Sequence, residues 1–133
     1  MNDDKNKKII INEWLINAQE DEGNASVLLK HKDVSPSLVC FISQQMAEKY
    51  LKSLLIFYSN DYPKIHDLVK LGNTIGFYDK NITELREFFV VLNPYYIGTR
   101  YAADFPEGFT WKMAEEAYTA AKKIKEYVLG KIK

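Results

Sequence analysis

Disulfide bonding is closed to this chain, because Cys40 is its only cysteine. A multi-cysteine metal site is excluded on the same count. Cys40 sits in the apolar run Leu38-Val39-Cys40-Phe41-Ile42, and reads as a small buried hydrophobe. Charge of one sign is lacking too. Lys and Arg number 18, as do Asp and Glu, so no long-range field draws the molecule to nucleic acid or acidic membranes. A nucleic-acid role would need a local basic patch. No apolar run approaches the ~20 residues of a membrane span. The Asn/Asp/Lys-rich start lacks the apolar core of a signal peptide. A cytoplasmic protein without membrane contact is expected. Histidine is scarce: His31 and His66 are the only two, too few for a histidine-rich metal site. No phosphate-binding Gly-rich loop, dinucleotide fingerprint, H-E-x-x-H or G-x-S-x-G is present. Neither a cofactor nor a metal is expected.

What is present fits one globular domain over residues 1–133, 47% hydrophobic, with residues 1–8 expected to fray. From Ile10, the spacing of Trp14, Ala18, Asp21, Ala25 and Leu28 predicts a helix. Gly23-Asn24 weakens it and predicts a local bend. Asp21 lies on the inward stripe and requires a partner, because an unpaired buried carboxylate is costly. Ser35-Pro36 announces a second helix, running to about Ser59. Apolar residues cover most of its circumference, so it belongs at the centre of a bundle or against a second subunit. Its one polar stripe is Gln45, Glu48, Lys49 and Lys52, with Glu48 and Lys52 in the favourable i,i+4 order.

A third, short helix carries Leu68, Leu71 and Ile75 and stops at Gly76. Asp67 is read as a first-turn stabiliser, with His66 beside it as a cap or wedge. Asn81-Ile82-Thr83-Glu84 resembles a capping box for a fourth helix, which Pro94 ends. Thr110 caps the last helix, whose inner stripe is Ala114, Ala117, Ala121, Ile124 and Val128. The fold class is all-α, an up-and-down bundle of four to five helices.

The residues most suggestive of chemistry lie in the connection before that last helix. Tyr95, Tyr96, Thr99, Arg100, Tyr101 and Asp104 fall within ten positions, and Arg100 is one of only two arginines. A guanidinium binds phosphate or carboxylate bidentately and stacks on rings. Tyrosines beside it supply the stacking surface a nucleobase needs. Arg100 can equally pair with Asp21 or Asp104 and pin the loop. Lys49, Lys52 and Arg100 are candidates to meet phosphate, Gln45 to hydrogen-bond, and the tyrosines to meet a base. His66 and Arg100 are the candidates for general base and charge stabiliser if the chain is an enzyme.

These segments, in this order, resemble the HEPN (higher eukaryote and prokaryote nucleotide-binding) domain of the small stand-alone prokaryotic type. The likeness rests on Trp14-Leu15 with Ala18, Asp21 and Ala25. It continues through Cys40-Phe41, Gln44-Gln45 and Ala47-Glu48-Lys49-x-Leu51-Lys52-x-Leu54-Leu55. His66-Asp67-Leu68-x-x-Leu71 and Tyr96-Ile97-x-Thr99-Arg100-Tyr101 complete it. The resemblance implies a helical bundle that commonly dimerises and works with nucleotides or RNA, often beside a small nucleotidyltransferase partner, sometimes as a toxin–antitoxin pair. Ribonuclease relatives carry Arg followed four to six residues later by His. Neither Arg86 nor Arg100 has a histidine downstream. A nucleotide- or RNA-associated binding module is therefore the leading expectation. A divergent ribonuclease and a non-catalytic scaffold are the alternatives.

Overall fold

The computed structural model describes residues 2–96 and 108–132 and contains five α-helices: α1 (Asn2–His31), α2 (Pro36–Ser59), α3 (Leu68–Ile75), α4 (Arg86–Leu92) and α5 (Trp111–Lys131). Short 3₁₀ segments, Lys80–Leu85 and Asn93–Tyr95, flank α4. No strand occurs among the described residues. No helix there is long and apolar enough to cross a membrane.

α1 starts at Asn2, eight residues ahead of the Ile10 start that the sequence pattern predicts. Tertiary contact explains the earlier start. The Lys7 ammonium lies over the Phe57 ring near the end of α2, 5.8 Å from its centroid, and Ile11 is buried. The helix also runs unbroken through Gly23-Asn24, where a bend was expected. Packing of the flanking Ala18 and Ala25 holds it despite the poor local propensity. A Cβ at Gly23 would meet nothing within 4 Å. Gly23→Ala should therefore raise unfolding stability by about 0.5–1 kcal/mol through helix propensity alone, read as a higher urea midpoint at unchanged m-value.

α2 forms as its caps dictate. The Ser37 N–H donates to Ser35 Oγ at 3.2 Å, Pro36 takes the first helical position, and Asn60 ends the helix in the left-handed region at φ 65°. α1, α3, α4 and α5 all pack against it, and Tyr50, Met46, Leu51, Leu54 and Leu55 are fully buried. The chain itself thus covers most of the apolar circumference, as a position at the centre of a bundle requires. On α5, Ala114, Ala117, Ala120 and Ala121 are buried; small residues let a helix approach α2 closely. Thr110 caps α5 as expected, accepting from the Met113 N–H at 3.1 Å. Lys125 of α5 pairs with Glu22 of α1 at 2.8 Å.

Asp67 caps α3, accepting from the Lys70 N–H at 3.1 Å. Asn93 locks that cap, donating to Asp67 Oδ1 at 3.0 Å and accepting from the Leu68 N–H at 2.8 Å. The expected Asn81 cap is corrected: Asp79 caps the 3₁₀ segment, accepting from the Asn81 N–H at 3.1 Å, and α4 starts only at Arg86. Asp79 is chosen by its tertiary partners. It is buried, accepts a hydrogen bond from the Tyr127 hydroxyl of α5, and has the Lys131 ammonium 3.8 Å away.

Candidate functional site

The sequence around Glu48 places Gln44, Gln45, Glu48, Lys49 and Lys52 within little more than two turns of α2. This polar stripe does not face open solvent. It meets α1 on one side and residues 60–67 with Tyr96 on the other, and Glu48 is its hub. The Lys52 ammonium lies 3.0 Å from Glu48 Oε2. Gln44 donates to Glu48 Oε1 and to the His66 backbone carbonyl, both at 3.2 Å. His66 Nδ1 is 3.0 Å from each carboxylate oxygen. One carboxylate, 12% exposed, therefore ties two turns of α2 to the residue preceding Asp67 and α3.

Lys52 is only 4% exposed. Its ammonium lies 5.9 Å from the centre of the Trp14 ring and 5.5 Å from that of Tyr62; those rings meet edge-to-face at 5.0 Å. Cation–π attraction supplements the ion pair there. Lys52, expected from sequence to meet a phosphate, has its ammonium paired with Glu48 and enclosed. Lys49 pairs with Asp21 across to α1 at 2.7 Å. That contact supplies the partner Asp21 was expected to need.

Above this network opens a cleft of about 530 Å³ lined by Trp14, Gln44, Gln45, Glu48, Lys49, His66 and Tyr96. The His66 and Tyr96 rings stack nearly parallel, at 5.8 Å and 17°. Of the residues expected from sequence, Gln45, Glu48, Lys49, His66 and Tyr96 line this one cleft. Lys52 lies beneath it, Asp21 holds Lys49, and Asp67 caps α3 instead. Thr99, Arg100, Tyr101 and Asp104 lie outside the described residues. Sequence reasoning missed Trp14 and Gln44 as site residues. Gln44 could have been found as the lone amide beside Phe41 and Ala47 on an otherwise apolar face. Trp14 carried no such signal, because an aromatic on a helical stripe reads as core. Among the described residues, no three His, Cys, Asp or Glu side chains group as a metal site requires.

The sequence matches the family profile described as HEPN domain over residues 11–132. The structure is similar to the crystal structure of TT1696 from Thermus thermophilus, with 30% identity and a TM-score of 0.74, covering 92% of this chain and 98% of that one. It also shares its fold with ST0689, described as an archaeal HEPN homologue, at 24% identity and a TM-score of 0.69, with 92% and 98% of the two chains covered. No curated protein sequence matches the chain.

Proposed function

Because the chain belongs to the HEPN domain family, we propose that it is a binding module for a nucleotide or a short stretch of RNA, with the Trp14–His66–Tyr96 cleft as its base site. The observation that carries this reading is the aromatic wall: a stacked His66–Tyr96 pair on one side and Trp14 on another. Every nucleobase has a flat π-face, and stacking on an aromatic side chain contributes about 1–3 kcal/mol per base. A cleft of about 530 Å³ falls in the range of small-molecule sites. The Gln45 amide lines it and has no side-chain partner among the described residues, so it is available to a base edge.

Titrating the purified protein with ATP, GTP and short RNA at low salt tests the reading. Tyr96→Ala should weaken binding by about tenfold or more while leaving the helical circular dichroism unchanged. Absence of any binding at low salt, alone or with a partner, would refute it. The same reading gives the protein a second copy of itself and a small nucleotidyltransferase as partners, in a toxin–antitoxin setting. Its support is the family, and light scattering with co-purification checks it.

A second reading, a divergent ribonuclease, is favoured by one specific contact. The Glu48 carboxylate orients the His66 ring as a supporting acid orients a general base. RNA cleavage that survives His66→Ala eliminates it.

A further inference from the structure

His66 presents a ring face to Tyr96 and one ring nitrogen to Glu48. The carboxylate is already committed to the Lys52 ammonium at 3.0 Å and the Gln44 amide at 3.2 Å. Ion-paired with Lys52, Glu48 can only accept hydrogen bonds. The hydrogen it shares with His66 must then be carried by Nδ1. In the neutral ring this fixes the tautomer, and the other nitrogen, Nε2, on the ring edge away from Glu48, is left with its lone pair. Nε2 has no partner among the described residues. The side chain is 60% exposed and lines the cleft.

From this geometry, and resting on the base-stacking reading above, we infer that His66 Nε2 is a hydroxyl acceptor that selects ribose over deoxyribose ligands. A base lying parallel to the His66–Tyr96 stack carries its sugar past the ring edges, so the sugar hydroxyls are the ligand groups a ring-edge nitrogen would meet. A lone pair at that edge attracts a donor and disfavours a phosphate, which offers only acceptors. The 2′-hydroxyl is the donor that separates RNA from DNA. The site would thus distinguish the two sugars without any positively charged contact, consistent with Lys49 and Lys52 both being paired to carboxylates.

Calorimetric affinities for ATP and dATP, measured on the full chain, test this. ATP should bind about 5- to 10-fold more tightly than dATP, the value of one net hydrogen bond. His66→Phe keeps a ring to stack on Tyr96 but lacks Nε2; it should bring the ATP-to-dATP ratio to about one, whatever loss it causes in the affinity common to both nucleotides. Nitrogen NMR of the free protein reports the tautomer directly, and a neutral ring protonated at Nε2 overturns the inference. Equal affinity for the two nucleotides in the unmodified protein overturns it while leaving the stacking site in place. A preference among bases with no preference among sugars would reassign the Nε2 partner to an exocyclic amine and also overturn it. Failure of both nucleotides to bind removes the base site and this inference together.

Discussion

Between about pH 10 and 12 the protein is expected to unfold cooperatively, well before its helices would be troubled by net charge alone. Three core groups drive this. Burial pushes the Cys40 thiol from 9.0 up to about 12, the hydrogen bond with Tyr95 giving a little back. Burial, with the Glu22 and Asp21 charges adding to it, pushes the Tyr50 phenol from 10.0 up to about 12. Burial, then Cys40 and Glu116, does the same to Tyr95. In each case the folded value exceeds the unfolded one, so the stabilisation is fully present below the unfolded value. It is lost as pH rises through the folded one. Each group tips the balance by about 1.4 kcal/mol per pH unit, so three together steepen the fall to about 4 kcal/mol per unit. Two units of that slope match a typical total stability of about 5–15 kcal/mol. Tyr127, held up by burial and by its bond to Asp79, and Tyr58 act in the same direction. Helical circular dichroism and tyrosinate absorbance should change together in one sharp transition. Tyr50→Phe and Cys40→Ala should each move it to higher pH. Smooth phenol titration centred near about pH 10 with intact helices would show these groups to be open to water.

Glu48→Ala should cost about 3–5 kcal/mol, the largest loss expected from any single polar change. The substitution strands the Lys52 ammonium at 4% exposure, and breaking a buried pair from one side carries a penalty of that size. It also removes the acceptor for Gln44 and His66, loosening the segment that leads into α3. Lys52→Met should cost less, because its apolar stem already packs among Trp14 and Tyr62 and Glu48 keeps two other partners. The pair Glu48→Gln with Lys52→Met should recover most of the loss. Urea denaturation of the three variants makes the comparison. A Glu48→Ala cost below about 1 kcal/mol, the range of exposed pairs, would mean that Lys52 reaches water.

Much of this architecture was legible residue by residue. Ser35-Pro36 and Thr110 each marked a helix start that the backbone confirms, since a cap is a contact within three residues and needs no tertiary information. The alanine stripe of α5 and the apolar bulk of α2 followed from helical periodicity, and both are buried as it requires. Asp21 announced its need for a partner, and the approach of α1 to α2 brings Lys49 to it; Arg100, the cation considered from sequence, lies outside the described residues. The same limit explains the misplaced cap. Asn81 satisfies the local pattern, whereas Asp79 is preferred because Tyr127, 48 positions away, reaches its carboxylate.

On the polar stripe of α2 the division is plain. Sequence alone determined that Gln45, Glu48, Lys49 and Lys52 share one face, because helical spacing is a local property of the backbone. The direction of that face, and the commitment of its charges, were decided by tertiary structure. Glu48 meets His66 across 18 positions, and Lys52 is sealed beneath Trp14 and Tyr62. The physical reason is desolvation. In water both lysines would be free cations fit for phosphate. Packed against α1 and residues 60–67, each is paired with a carboxylate, Lys49 with Asp21 and Lys52 with Glu48. What they leave open is a cleft walled by Trp14, His66 and Tyr96.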